Sequence, residues 1–150
     1  MDANVTIRLA YSEDIPAMAK LLSELFALED DFTIDAEKQS RGLELLLQNL
    51  QSVVLVAEID HCVVGMISLQ RVISTAMGEY VGIIEDVVVS EAYRGYGIGT
   101  KLLETAIDEA EQREWKRLAL GVDLRNTKAI GFYQKYAFET SHMGLMYKIV

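Results

Sequence analysis

Positive charge is what this sequence has least of. Fourteen Lys and Arg face 23 Asp and Glu, a formal net charge of −9. Gripping nucleic acid through its phosphates needs a basic footprint, so the balance argues against that partner and for a cationic one. Cysteine is nearly absent as well. The single Cys62 cannot close an internal disulfide or build a cysteine-based zinc site, and a cytoplasmic protein is expected. His61 and His142 stand apart from it and from each other, so no metal-ligand spacing is present and no metal is expected. No apolar run approaches the roughly 18 residues of a membrane span, and the stretch Met1 to Ala10 lacks the basic start and apolar core of a signal peptide. With one Pro, no repeat and no Ser-rich linker, nothing divides the chain, and residues 1–150 are expected to form a single domain.

What the sequence does have is hydrophobic patterning, with 51% apolar residues. Val5, Ile7 and Leu9 alternate as in a strand, and Ser12 then stands as the expected N-cap of a helix. Met18, Leu21, Leu22, Leu25 and Phe26 recur at helical spacing behind Pro16, which a first turn tolerates. A second helix over about 35–50 carries Leu43, Leu45, Leu46, Leu47 and Leu50, with Gly42 its weak point. The runs 52–58 and 62–72, joined by Ile59, Asp60 and His61, predict an antiparallel hairpin. Strands are further expected over 80–89, 117–122 and 144–150, and helices over 97–112 and 126–136. The order β-α-α-β-β-β-α-β-α-β predicts one α+β layer structure with helices on a mixed sheet.

Gly95, Gly97 and Gly99 lie between a hydrophobic strand and a helix whose inward residues include Ile98, Leu102, Leu103 and Ala106. Residues without side chains at a helix N-terminus let successive N–H groups point at one anion, and the helix dipole adds about half a positive charge there. A phosphate or diphosphate suits that geometry. The dinucleotide fingerprint G-x-G-x-x-G fails, because Leu102 and Thr100 stand where its third glycine belongs. The Walker loop fails too, since Gly99-Thr100-Lys101 puts the lysine one place late.

The spacing Arg94-x-x-Gly97-x-Gly99 resembles the acetyl-CoA signature of the GNAT N-acetyltransferase superfamily. Downstream, Asn126, Ala129, Phe132, Tyr133, Lys135 and Phe138 resemble that family's second motif, and Ala137 stands where it usually has glycine, so the turn there is expected to differ. The resemblance implies a three-layer α/β/α fold on a mixed, mostly antiparallel sheet with helices on both faces. It implies acetyl-CoA as cosubstrate, an amine acceptor that is a small molecule or peptide, and homodimers as a common assembly. Cofactor contacts are then implied for Val87, Val88 and Val89 at the strand end, for Arg94, Gly95, Tyr96, Gly97, Ile98, Gly99 and Thr100 in the turn, and for Asn126 and Tyr133. The alternative is a CoA-binding sensor or interaction module that keeps the cradle and catalyses nothing.

Acetyl transfer to an amine requires a base, donors for a developing oxyanion, and a proton for the departing thiolate. Tyr133 matches the family position that protonates the CoA sulfur, although a packing role on its helix is open as well. Asn126 reads equally as an N-cap. Glu85 and Asp86 interrupt an otherwise apolar strand. In a regular strand Val81, Ile83, Glu85, Val87 and Val89 share a face, which puts Glu85 on a mostly buried side where a raised pKa suits a general base. Glu85, Asp86, Glu29 and Asp30 are candidate acceptor contacts, and the acids from Glu29 to Asp35 either steer a cation or form a solvated loop. Cys62 lies in a predicted strand with no histidine or cation motif around it, so direct attack by the amine is expected and not a covalent enzyme intermediate.

Overall fold

A computed structural model describes residues 4–29 and 33–150. The chain forms two compact units, Met1–Ala119 and Leu120–Val150. The first begins with β1 (Thr6–Leu9), α1 (Ile15–Phe26), α2 (Ala36–Gln48), β2 (Ser52–Ile59), β3 (Cys62–Ser74) and β4 (Glu79–Val89). It continues with α3 (Ile98–Gln112), and β5 (Leu118–Leu120) runs across the unit boundary. The second unit holds α4 (Thr127–Gln134). Among the described residues no helix is long and apolar enough to cross a membrane.

The five strands lie in the order β1-β2-β3-β4-β5, and the first four pair antiparallel. At the β5 side the Lys116 N–H donates to the Tyr80 carbonyl and the Gly82 N–H to the Arg117 carbonyl. The bonds climb both chains in one direction, so the sheet is mixed.

Alternation along the central strands feeds two cores. Val54, Val56, Met66 and Val88 pack with Met18, Leu21 and Leu22 of α1 and Leu43 of α2. On the opposite face α3 turns inward Ile98, Leu102, Leu103, Ala106 and Ala110, a helical stripe that is wholly buried. A Cβ at Gly65 would stand 3.1 Å from Leu102 Cδ1 and 3.2 Å from the Val88 carbonyl oxygen, so glycine here lets α3 lie close to the sheet.

Two expectations are corrected. Ser12 does not cap α1. A 3-10 turn, Ser12–Asp14, precedes the helix, and Asp14 Oδ2 accepts the Tyr11 N–H at 2.7 Å. The Arg8 guanidinium grips both Asp14 oxygens, at 2.8 and 3.0 Å, and holds that carboxyl below its ordinary pKa. The strand expected over 144–150 is not formed either. Its alternation suits a strand, but a strand exists only through a ladder, and periodicity says nothing of a partner.

Candidate active site

The site grows from a defect in β4. Ser68 stands opposite Glu85 and Met66 opposite Val88, so Asp86 and Val87 together face the single residue Ile67. Two residues against one is a β-bulge, and Asp86, the first of the two, holds a left-handed conformation (φ 56). Among non-glycine residues Asp is one of those that tolerate this region best.

The extra residue resets the strand's phase. Val88 continues the face that packs against α1 and α2, where unbroken alternation would put Val87. Glu85, which precedes the inserted residue and keeps the phase of Val81 and Ile83, is nonetheless exposed and not the buried carboxylate expected, and the half-buried member of the pair is Asp86. Burial pushes the Asp86 carboxyl up to about 6, the charges of Glu85 and Glu29 push the same way, and a contact from Ser68 opposes them. An acid with that pKa is ionised at neutral pH, yet remains a far better proton acceptor than a surface aspartate. Glu29 thus belongs beside Asp86 electrostatically, Asp35 caps α2 by accepting the Lys38 N–H at 3.2 Å, and Asp30 lies outside the described residues.

Beyond the bulge, Val88 and Val89 pair with Met66 and Gly65, and the chain then leaves the sheet through a 3-10 turn, Glu91–Tyr93. Arg94 Nε donates to the Val89 carbonyl at 2.9 Å, tying the start of the glycine turn to the strand end. Gly95 (φ 85) and Gly97 (φ 81) are both left-handed, and a Cβ on either would meet no atom within 4 Å. Gly97 caps α3 with no side chain to receive its first N–H groups. Those amides lack helical partners, and the residues Arg94 to Gly97 are exposed. Open space above bare amides at the N-terminus of a fifteen-residue helix fits an anion such as the diphosphate of CoA. Tyr96 is exposed in the same turn, Ile98 is buried beneath it, and Gly99 and Thr100 are half-buried.

In the second unit the Asn126 side chain accepts the Ala129 N–H at 3.0 Å and so caps α4. Tyr133 is half-buried on that helix, and burial raises its pKa, keeping the phenol protonated at neutral pH. Its ring meets Phe132 edge-on at 5.1 Å and Phe138 at 5.7 Å between centroids. The turn at Ala137 does not differ as expected: Ala137 adopts φ 67, the conformation a glycine would take.

Residues 16–138 match the Acetyltransferase (GNAT) family. The chain belongs to that family. Over 135 residues this acetyltransferase is 29% identical to the uncharacterized N-acetyltransferase YhfO of Bacillus subtilis strain 168, covering 90% of each chain. It is also 29% identical over 136 residues to the aminoalkylphosphonate N-acetyltransferase of Salmonella typhimurium strain LT2, covering 91% of this chain and 86% of that protein. Among solved structures it resembles a transcriptional regulator from Bacillus halodurans C-125, with 27% identity and a TM-score of 0.86 over 97% of this chain and 99% of that one. The α+β GNAT fold expected from the two motifs is thereby shown, and members of this family use acetyl-CoA.

Ser68 is the site residue that sequence reasoning passed over. Its trace is slight: a lone hydroxyl in the apolar run GMISL.

Proposed function

We propose that this acetyltransferase moves the acetyl group of acetyl-CoA to a small cationic primary amine by direct attack, with Asp86, and not Glu85, as the base. The observation that carries this reading is the bulge, which turns one carboxylate of raised pKa inward on the strand that leads into the glycine turn. Bound acetyl-CoA supplies the thioester. The amides from Gly95 to Thr100 hold its diphosphate, and the backbone of Val87 to Val89 aligns its amide-bearing arm as an added strand would. Glu85 and Glu29 add negative potential around Asp86, which draws an ammonium and disfavours an acidic acceptor. Asp86 takes the ammonium proton, directly or through water, and the amine nitrogen bonds to the thioester carbonyl carbon. The C–S bond breaks as Tyr133 gives its phenolic proton to the departing thiolate, and the second proton shed by the nitrogen restores the phenol. That both units serve as one catalytic domain belongs to the same proposal, and the family match across residues 16–138 supports it.

The test is thiol release from acetyl-CoA with diamines, polyamines, aminoglycosides, aminoalkylphosphonates, amino acids and peptide N-termini as acceptors. Cationic amines should give the highest kcat/KM, with an acidic limb near the Asp86 pKa of about 6. Asp86→Asn should lower kcat/KM by about 100-fold or more, the usual scale of general-base catalysis. Tyr133→Phe should lower kcat at least about tenfold while CoA affinity, measured by calorimetry, stays within about twofold. Equal turnover in the Tyr133 variant removes Tyr133 from the chemistry, and CoA binding without thiol release for any acceptor overturns the whole reading.

A further inference from the structure

Ser68 takes no part in the proton transfers proposed above, yet it is placed where the bulge leaves most to be settled. It is 1% exposed in the apolar middle of β3. Its Oγ lies 3.0 Å from the Glu85 carbonyl oxygen and 3.5 Å from Asp86 Oδ2. A bulge interrupts the ladder and leaves a backbone group needing another partner. The hydroxyl supplies one, since it donates to the Glu85 carbonyl. It has a single proton to give and two lone pairs to receive with. A small rotation carries the same proton to an ionised Asp86. When Asp86 is protonated, Ser68 Oγ accepts from it and still donates to the Glu85 carbonyl.

We infer that Ser68 is a positioning residue for Asp86, holding the carboxyl at the bulge and changing its hydrogen bonding with each gain and loss of the proton. The inference rests on Asp86 being the base. Two charged groups face Asp86, Glu85 on its own strand and Glu29 just beyond α1, while from β3 it is the Ser68 hydroxyl that turns to it. Both carboxylates favour the protonated acid, and the hydroxyl favours the anion because a bond to a charged acceptor is the stronger one. Without Ser68 that repulsion acts unopposed.

The experiment compares the pH dependence of kcat/KM for the parent, Ser68→Ala, Ser68→Thr and Asp86→Asn, with one amine and with folding verified by thermal melts. In Ser68→Ala the acidic limb should move up by about 0.5–1 pH unit, a loss of about threefold to tenfold in kcat/KM on the acid side with little change on the alkaline side. Ser68→Thr keeps the hydroxyl and should keep the limb near its parental position. If Asp86→Asn abolishes turnover but Ser68→Ala leaves the limb in place, Ser68 has no such role and Asp86 stands as the base. A limb that moves equally in Ser68→Thr and Ser68→Ala also overturns the inference, because shape and not the hydroxyl is then responsible. A parental profile in Asp86→Asn overturns the base itself. Should Ser68→Ala fail to fold, Ser68→Cys, close in shape and a poor donor, is read in the same way, with an unmoved limb counting against the role.

Discussion

Ala137 holds a left-handed conformation that costs an L-residue with a Cβ roughly 1–2 kcal/mol. The arrangement around it is a Schellman closure. The Phe138 N–H donates to the Tyr133 carbonyl, the Ala137 N–H donates to the Gln134 carbonyl, and the Phe138 and Tyr133 rings meet edge-on. Ala137→Gly relieves the conformational penalty, partly offset by the greater freedom glycine has when unfolded. The substitution should slow amide exchange at Ala137 and Phe138 by about threefold to tenfold, the equivalent of about 1 kcal/mol of local stability. An unchanged exchange rate would mean that the turn carries no strain. Alanine at a family glycine position was visible in the sequence, but its conformation was not. Two hydrogen bonds and a ring contact impose the glycine-like turn on a residue that disfavours it. At the β2–β3 turn the sequence joined the strands by Ile59, Asp60 and His61, whereas β2 runs through Ile59 and leaves a two-residue turn in which Asp60 (φ 49) and His61 (φ 66) are both left-handed.

Among the elements, β4 is shaped as much by glycine as by its bulge. A Cβ at Gly82 would stand 2.6 Å from Trp115 Cε3 and 2.8 Å from Leu118 Cδ2, closer than any real contact. Trp115 is itself buried, and Gly82 also donates its N–H to the Arg117 carbonyl, so neither ring nor strand has room to give. Gly82→Ala should destabilise by about 1–3 kcal/mol, the usual scale of overpacking. Trp115 is the sole tryptophan, so its emission reports on the repacking directly during denaturant unfolding. A variant with parental stability and emission would show that the ring moves freely. The existence and order of the strands and helices up to α4 were legible, because periods of two and 3.6 leave their mark on any half-buried element. The bulge was not legible. One inserted residue leaves the alternation readable on either side of it while exchanging the inward and outward positions from Val87 onward. The faint cue is the Glu85-Asp86 step itself, two carboxylates in an apolar strand, the second a residue type at ease at positive φ.

At the scale of the whole molecule, two aspartates pull stability in opposite directions with pH. Asp14, gripped by Arg8, has a folded pKa below its unfolded one. Its contribution is present above the unfolded value and is lost as pH falls through the folded one. Asp86 is the reverse. Its pKa is raised from 3.8 to about 6, so between these values the folded chain binds the proton more tightly than the unfolded chain does. Stability therefore falls as pH rises from about 3.8 to about 6, by on the order of 2–3 kcal/mol in all, and stays at that lower level above. Asp86→Asn should melt higher than the parent at pH 8, and the difference should shrink as pH falls from about 6 and vanish only below the unfolded value of 3.8, where both states of the parent carry the proton. A melting temperature below the parent's at pH 8 would show that the carboxylate is better solvated than its surroundings imply. The net charge of −9 was legible from composition, as was its preference for a cationic partner. Which acidic groups set the pH response depends on burial and on neighbours drawn from β3 and from beyond α1, and no local pattern encodes these.

The bulge at Asp86 thus ties reactivity to fragility. A library screened only for survival of heating in alkaline buffer would enrich replacements at this position and discard the proposed base along with its burden. Only below about pH 4 would the same screen leave the position untouched, so the choice of buffer decides whether hardier offspring still work.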